Sequence, residues 1–140
     1  MRASRRWKGE RGSAMVEFAI VLPIFLFITW CVIDFARAFY TQNSLASAVR
    51  EGARYAVVTA EPGSAATLDS VKARVARSFN AFGGAAIPPS SISVDASKPP
   101  EVTVQVTNYA WLSTTPINIF TGGQVLMTKK ATFRWERDES

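Results

Sequence analysis

The sequence predicts a membrane-anchored α+β protein with one long N-terminal helix, a second helix and a small three-stranded antiparallel sheet. Three observations support this fold class. Residues 13–33 contain Glu17 as their only ionisable group besides Cys31, and they are numerous enough to cross a bilayer. The helical spacing of apolar residues then continues beyond this stretch. After residue 90 it gives way to the alternation that is typical of β-strands.

Most of the net charge of +5 belongs to the first 12 residues. This leader holds five basic side chains and one acidic side chain, whereas the rest of the chain holds eleven basic and ten acidic ones. Because the rest is nearly neutral, it lacks the basic patch of a nucleic-acid-binding domain, and we expect no nucleic-acid partner. Basic residues beside a membrane span stay in the cytoplasm, so we expect the C-terminal part outside it.

These features divide the chain into a basic cytoplasmic leader (1–12), a transmembrane helix (13–33) and an extracytoplasmic α+β domain (34–140). We expect the leader to be a disordered polar tail. The first helix is predicted from about Ser13 to about Val58, transmembrane and then amphipathic, with Pro23 kinking it or weakening its hydrogen bonding. The apolar stripe of its second half consists of Phe35, Ala38, Leu45, Val49, Ala53 and Ala56, with Phe39 alongside.

The residues after 58 predict a turn, a helix and three strands. The turn is expected at 61–64, and the helix from about Ala66 to Phe82, ended by the glycines at 83 and 84. Alternating residues predict strands at 91–95, 102–107 and 124–135. The apolar stripes of the two helices would cover one face of this sheet.

The residue types exclude several kinds of site. The chain has no histidine and one cysteine, Cys31, which lies in the apolar stretch. Ser–His–Asp and Cys–His catalysis, imidazole zinc sites and an intrachain disulfide are therefore excluded. We predict that the protein is not an enzyme and has no metal, cofactor or small-molecule substrate. Cys31 is expected to pack as a small apolar side chain.

Glu17 needs an explanation, because an acid at the centre of a membrane helix costs about 2.5–3.5 kcal/mol. Three interpretations are a signal-anchor that tolerates it near the interface, a secretory signal peptide cut near Ala36-Arg37-Ala38, and a membrane enzyme or channel. In a fourth, a prepilin-type peptidase cuts after Gly12. The new amine of Ser13 would then meet the Glu17 carboxylate of a neighbouring subunit, and pairing would lower the cost of both charges in lipid.

Two segments carry recognisable motifs. The first is Arg11-Gly-Ser-Ala-Met-Val-Glu-Phe-Ala-Ile-Val-Leu-Pro23, in which a glycine precedes Glu-Phe by five residues and apolar residues with Leu-Pro follow. The second is Arg50-Glu51-Gly52-Ala53-Arg54-Tyr55-Ala56. Both resemble segments of the TadE-like pseudopilins, which are associated with the Tad, or Flp, tight-adherence pilus, and they cover about residues 11–58.

The resemblance implies a pilin-like protein that acts in assembly, a TadE- or TadF-type minor pseudopilin for adhesion or secretion. A prepilin peptidase would act at Gly12 and Ser13, and Glu17 and Phe18 would mediate assembly with other pilins and the Tad machinery. The protein would lie in the bacterial inner membrane with a periplasmic domain, or in an extracellular pilus. Two alternatives are an uncleaved single-pass envelope protein with a binding domain, and a type II secretion pseudopilin.

The second segment has two interpretations. Its polar residues Arg50, Glu51, Arg54 and Tyr55 form a solvated or sheet-facing stripe, with a Glu51–Arg54 pair worth a few tenths of a kcal/mol, or they contact another subunit or the secretion machine. Gly52 either allows close packing or marks fraying of the helix. The aromatic residues Tyr109, Trp111, Phe133 and Trp135 are predicted to pack in the core or near the membrane.

Overall fold

We describe the protein from a computed structural model that defines residues 7–58, 65–81, 83, 85–98, 101–113 and 122–134. Its elements are α1 (Trp7–Val58), α2 (Ala65–Ala81), β1 (Ile92–Lys98), β2 (Glu101–Leu112) and β3 (Gln124–Arg134). A single 3-10 turn, Pro89–Ser91, precedes β1. The strands form one antiparallel sheet with β2 in the centre. The predicted α+β fold is therefore confirmed.

Helix α1 begins earlier than predicted. It starts at Trp7 rather than near Ser13, so the prediction of a disordered leader is wrong for residues 7–12. Lys8, Glu10 and Arg11 are good helix formers, and an existing helix extends readily through such residues. Pro23 lies inside α1, which continues to Val58.

The first half of α1 is bare, in the sense that residues 12–30 are not covered by any other described part of the chain. Residues 12–30 are all exposed. The most apolar part of the helix has a mean hydropathy of 2.5, and no other described residue buries it. A contiguous apolar surface of this size indicates contact with lipid or with another protein. By length and composition the helix can cross a membrane, and the structure fits a single-pass membrane protein.

The second half of α1 contributes one face to the hydrophobic core. One face of it packs on α2 and on the inner face of the sheet, and the buried residues include Leu45, Val49, Ala53, Ala56, Val71, Val75, Phe79, Val102, Val104 and Val106. Phe35 does not join this face, since it is 72% exposed. It lies about 80° from Leu45 around the helix, so its place in the predicted stripe is wrong.

Gly52 is a point of very close approach between α1 and α2. A Cβ built at this position would lie 2.2 Å from the Cγ2 of Val75 and 3.8 Å from the Cγ1 of Val104. Because glycine has no side chain, Val75 can pack directly against the backbone of α1. Of the two interpretations of Gly52, the structure supports close packing.

A bulge in β2 keeps Tyr109 in the core. The pairing register with β3 shifts between Val106 and Tyr109, and Asn108 has a φ of 55°, which asparagine tolerates better than most residues. Strict alternation after Val106 would turn Asn108 inward and Tyr109 outward. Instead, Tyr109 is buried, and its ring lies 5.2 Å from that of Phe79 in an edge-on arrangement. Burial raises the pKa of the Tyr109 phenol, and a hydrogen bond with the Ala85 backbone lowers it.

The other predicted bounds agree with the structure within three residues, except that β2 continues to Leu112, five residues beyond its predicted end. Gly83 has a φ of 75°, as expected of a glycine that ends a helix, and its N–H donates to the carbonyl oxygen of Asn80 at 2.9 Å. Trp111 is partly buried against the core, whereas Phe133 is 37% exposed. The turn predicted at 61–64 and residues 82, 84 and 135 lie outside the described residues.

Replacing Gly52 with alanine should destabilise the fold by about 1–3 kcal/mol, because the new methyl group must displace Val75. The cost of displacing Val75 is larger than the gain of about 1 kcal/mol that alanine has over glycine within a helix. Thermal unfolding of the full chain in detergent, followed by far-UV circular dichroism, measures the change.

The matched control is Val75→Ala, which removes the methyl group that the new Cβ would meet. The double variant Gly52→Ala/Val75→Ala should be more stable than the two single changes predict when added together. Strict additivity would show that the two positions are not in contact.

Candidate functional site

The first predicted site lies near the N-terminal end of α1. A Cβ at Gly12 would meet no atom within 4 Å, and Ser13 and Glu17 are both exposed. Residues four apart share a helix face, so Ser13 and Glu17 lie on the same side, about 6 Å apart along the axis. Phe18 is 63% exposed. All four predicted residues are therefore accessible to another molecule in the isolated chain.

The second predicted segment, residues 50–55, lies far along the same helix. Gly12 and Arg50 are separated by about 57 Å of α1 at 1.5 Å per residue. The structure therefore does not bring the two motif segments together within one chain. Each segment has surroundings of its own: the first is bare, and the second lies against α2.

Glu51 binds the facing helix rather than its own. Nη2 of Arg74 donates a hydrogen bond to Oε1 of Glu51 at 2.8 Å. This bond lowers the pKa of the Glu51 carboxyl, desolvation raises it, and the charges of Arg74 and Arg54 lower it further. The predicted ion pair with Arg54 is therefore wrong, because Arg74 reaches the carboxylate from α2 while Arg54 is exposed and acts through its charge.

Arg74 also contacts Tyr55, one turn further along α1. The guanidinium carbon lies 5.8 Å from the centre of the Tyr55 ring, within the range of a cation–π contact. One arginine thus bridges Glu51 and Tyr55 on either side of the close approach at Gly52. The segment joins α1 to α2, which neither sequence interpretation predicted, while Arg50 and Arg54 remain on the exposed side of the helix.

A further site, at Asp34, was missed by the sequence analysis. The Asp34 side chain is buried, and Oγ of Ser113 donates a hydrogen bond to its Oδ2 at 2.5 Å. Nη1 of Arg37 lies 3.9 Å from its Oδ1. The N–H of Ser113 in turn donates to the carbonyl oxygen of Gly123 at 3.3 Å. Asp34 therefore attaches the facing ends of β2 and β3 to α1 at the residue where the apolar stretch ends.

One feature of the sequence points to this site in part. Asp34 is the first charged residue after Glu17, which marks it as the end of the apolar stretch. No spacing rule relates it to Ser113, which lies 79 positions away. Within the described ranges, no three His, Cys, Asp or Glu side chains are grouped as ligands for a metal ion. The interactions found here join structural elements.

A comparison with known families covers the first of these segments and most of the second. The model of the TadE-like protein family matches residues 12–54. The match begins at Gly12, includes Glu17 and Asp34, and ends within the second segment. It confirms the resemblance to TadE-like proteins over this part of the chain. No curated protein and no solved structure shows significant similarity to the chain.

Replacing Ser113 with alanine should lower the free energy of unfolding by about 1.5–3 kcal/mol, because it removes a hydrogen bond to a buried carboxylate. Chemical unfolding of the full chain in detergent measures the loss. Ser93→Ala is the control, since Ser93 makes a longer, exposed hydrogen bond and should change stability by less than about 0.5 kcal/mol. Equal effects of the two changes would contradict the importance of the Asp34–Ser113 bond.

Stability should also fall with acid through Glu51. Its pKa is lower in the folded protein than the usual 4.5, so ionisation favours folding. The contribution is complete above the unfolded value and is lost as pH falls through the folded value. Melting temperatures between neutral pH and pH 3 should therefore fall less steeply for Glu51→Gln than for the wild type. Glu101→Gln, an exposed change on β2, is the control and should retain the wild-type slope.

Proposed function

We propose that this chain is a minor pseudopilin of a Tad/Flp-type pilus, made as a precursor and cleaved by a prepilin peptidase after Gly12. The observation that carries the proposal is the position of Gly12 and Glu17. They lie on an exposed apolar helix, inside the region that matches the TadE-like family. A shared fold alone would not support a function. The spacing of Gly12 and Glu17 supports one, because it is the spacing expected of a prepilin processing site.

Cleavage would hydrolyse the peptide bond between Gly12 and Ser13, leaving a carboxylate on Gly12 and a free amine on Ser13. Gly12 presents no side chain, and its surroundings are open. Glycine is also a poor helix former, which makes α1 easier to unwind at the bond that a peptidase must reach. The basic leader would hold this end of the helix on the cytoplasmic side of the inner membrane, with the α+β domain in the periplasm.

Cleavage changes the electrostatics of Glu17. In the precursor, the carboxylate is the only charged group in residues 13–33. In the mature chain, the amine of Ser13 lies one helical turn away on the same face. When subunits are staggered along a fibre, the amine of one can meet the carboxylate of the next, and the pair costs less in lipid than two isolated charges. Glu17 would thereby set the register of assembly.

The bare half of α1 would supply the surface for this assembly. Its exposed apolar side chains, Phe18 among them, can contact lipid before assembly and other pilins after it. Among the described residues, those of the globular domain pack on the second half of α1 and leave residues 12–30 uncovered for these contacts. The expected partners are the membrane, the prepilin peptidase, other pilins or pseudopilins, and the Tad secretion machinery.

Cleavage is tested by intact mass and N-terminal sequencing of the membrane-bound protein, expressed with and without a prepilin peptidase. With the peptidase, the chain should lose residues 1–12 and begin at Ser13. Gly12→Leu should block this loss, because a branched side chain would occupy the open position before the scissile bond. Persistence of the full-length chain beside an active peptidase would favour the uncleaved envelope protein instead.

The role of Glu17 is tested separately, by replacing it with glutamine. Glu17→Gln should leave cleavage intact but reduce pilus assembly, because the amine of Ser13 then has no carboxylate to pair with in lipid. Sheared pili, quantified by immunoblot, give the measurement. Glu10→Gln is the matched control, since the same change is discarded with the leader. Normal assembly in Glu17→Gln would disprove the charge-pairing step.

A further inference from the structure

The outer face of the sheet is polar except at one end. Most of its exposed positions carry threonine, serine, glutamine or lysine, as at Thr132 and Lys130. At the end formed by the last residues of β2 and the first residues of β3, this pattern changes. Leu112 is 62% exposed and Leu126 is 60% exposed. The register pairs Leu126 with Ala110 and Leu112 with Gln124, so the two leucines are neighbours on the same face.

The hydrogen bonds of Ser113 place this apolar end of the sheet beside Asp34 of α1. Ser113 follows Leu112 directly, and its hydroxyl donates to Asp34 at 2.5 Å. Its backbone N–H donates to Gly123, just before β3 begins. The ends of both strands are therefore held at the level of Asp34, and they cannot slide along α1 without breaking these bonds.

With α1 anchored in the membrane as proposed above, Asp34 would lie at the level of the outer membrane surface. Residues 13–33 extend about 31 Å at 1.5 Å per residue, which equals the thickness of the hydrocarbon core. The side chain following Asp34, Phe35, is 72% exposed. Trp111 lines one surface cleft with Ile33 and Tyr40, and tryptophan and tyrosine are enriched at membrane interfaces. Leu112 and Leu126 lie at this same end of the sheet, on the face that points away from α1.

We propose that the end of the sheet carrying Leu112 and Leu126 rests in the headgroup region of the same bilayer that α1 crosses, with phospholipid as its occupant. This inference rests on the proposed membrane anchoring but not on cleavage or pilus assembly. The bilayer removes the two leucines from water, and the polar remainder of the outer face stays in solution. The domain then has two attachments to the membrane, α1 and the sheet end, which together restrict its tilt.

The experiment uses fluorescent labels on single cysteines in the full chain, reconstituted in phosphatidylcholine vesicles. The wild type offers Cys31, which lies just before Asp34 and reports whether α1 is inserted. In a Cys31→Ser background, Leu126→Cys and Leu112→Cys probe the sheet end. Thr132→Cys is the matched control, because it is exposed on the same face of β3 about 20 Å along the strand from Leu126, towards the end away from Asp34. Far-UV circular dichroism identifies the variants that fold as the wild type does.

The readout is quenching by lipids that carry a nitroxide near the headgroup or deep in the acyl chain. Labels at 126 and 112 should be quenched most by the shallow nitroxide, at every protein-to-lipid ratio, while the label at 132 is not quenched. If Cys31 is quenched but 126 and 112 are not, the inference is wrong and the anchoring stands. If the labels are shielded from water without lipid quenching, or only at high protein density, a second copy or another part of the chain covers them. If Cys31 is not quenched either, both the anchoring and the inference are wrong.

Discussion

The change of surroundings along one continuous helix is the constraint on which the rest of this structure depends. Residues 12–30 of α1 are exposed on every side and almost all apolar, whereas the second half of the helix is buried along one face. The change comes at Asp34, where a buried carboxylate accepts a hydrogen bond from Ser113. A buried charge at this position needs polar partners. Arg37 lies beside Asp34 on the same helix, and Ser113 at the end of the sheet donates the hydrogen bond. The domain is therefore joined to the helix at both ends of its packed half, at Asp34 and at Gly52.

Residues 50–55, around Gly52, have the composition of a recognition site, but several of them pack α1 against α2. Arg-Glu-Gly-Ala-Arg-Tyr is rich in charge, and an exposed charged stripe would normally indicate a partner or solvent. In the structure, Glu51 and Tyr55 share the guanidinium of Arg74, and Gly52 admits Val75 against the backbone. These contacts hold α2 to α1 and thus position one wall of the core. Arg50 and Arg54 are exposed and make no contact with α2 that would occupy them, and Tyr55 is also 38% exposed.

The two ends of α1 can then act independently. About 57 Å of helix separates Gly12 from Arg50, so a change at the processing end need not disturb the packed domain. In the proposed pseudopilin, cleavage alters only the charge and length of the bare end. The domain keeps its core, its joint with α2 and its attachment at Asp34. Processing can therefore control assembly without refolding the exported part.

The sequence by itself determined the features that depend on local pattern. Hydropathy over residues 13–33, helical spacing to Val58 and alternation in the strands were enough for the fold class. The two motif segments, 11–23 and 50–56, were together enough for the resemblance to TadE-like proteins, which the family match over residues 12–54 confirms. Tertiary structure decided what local pattern cannot encode. The partner of Glu51 is 23 positions away and that of Asp34 is 79 positions away. The bulge at Asn108 reverses the alternation, so that Tyr109 is buried. Phe35 is exposed because the packed face of α1 is set by the positions of α2 and the sheet, and hydrophobicity alone does not report those positions.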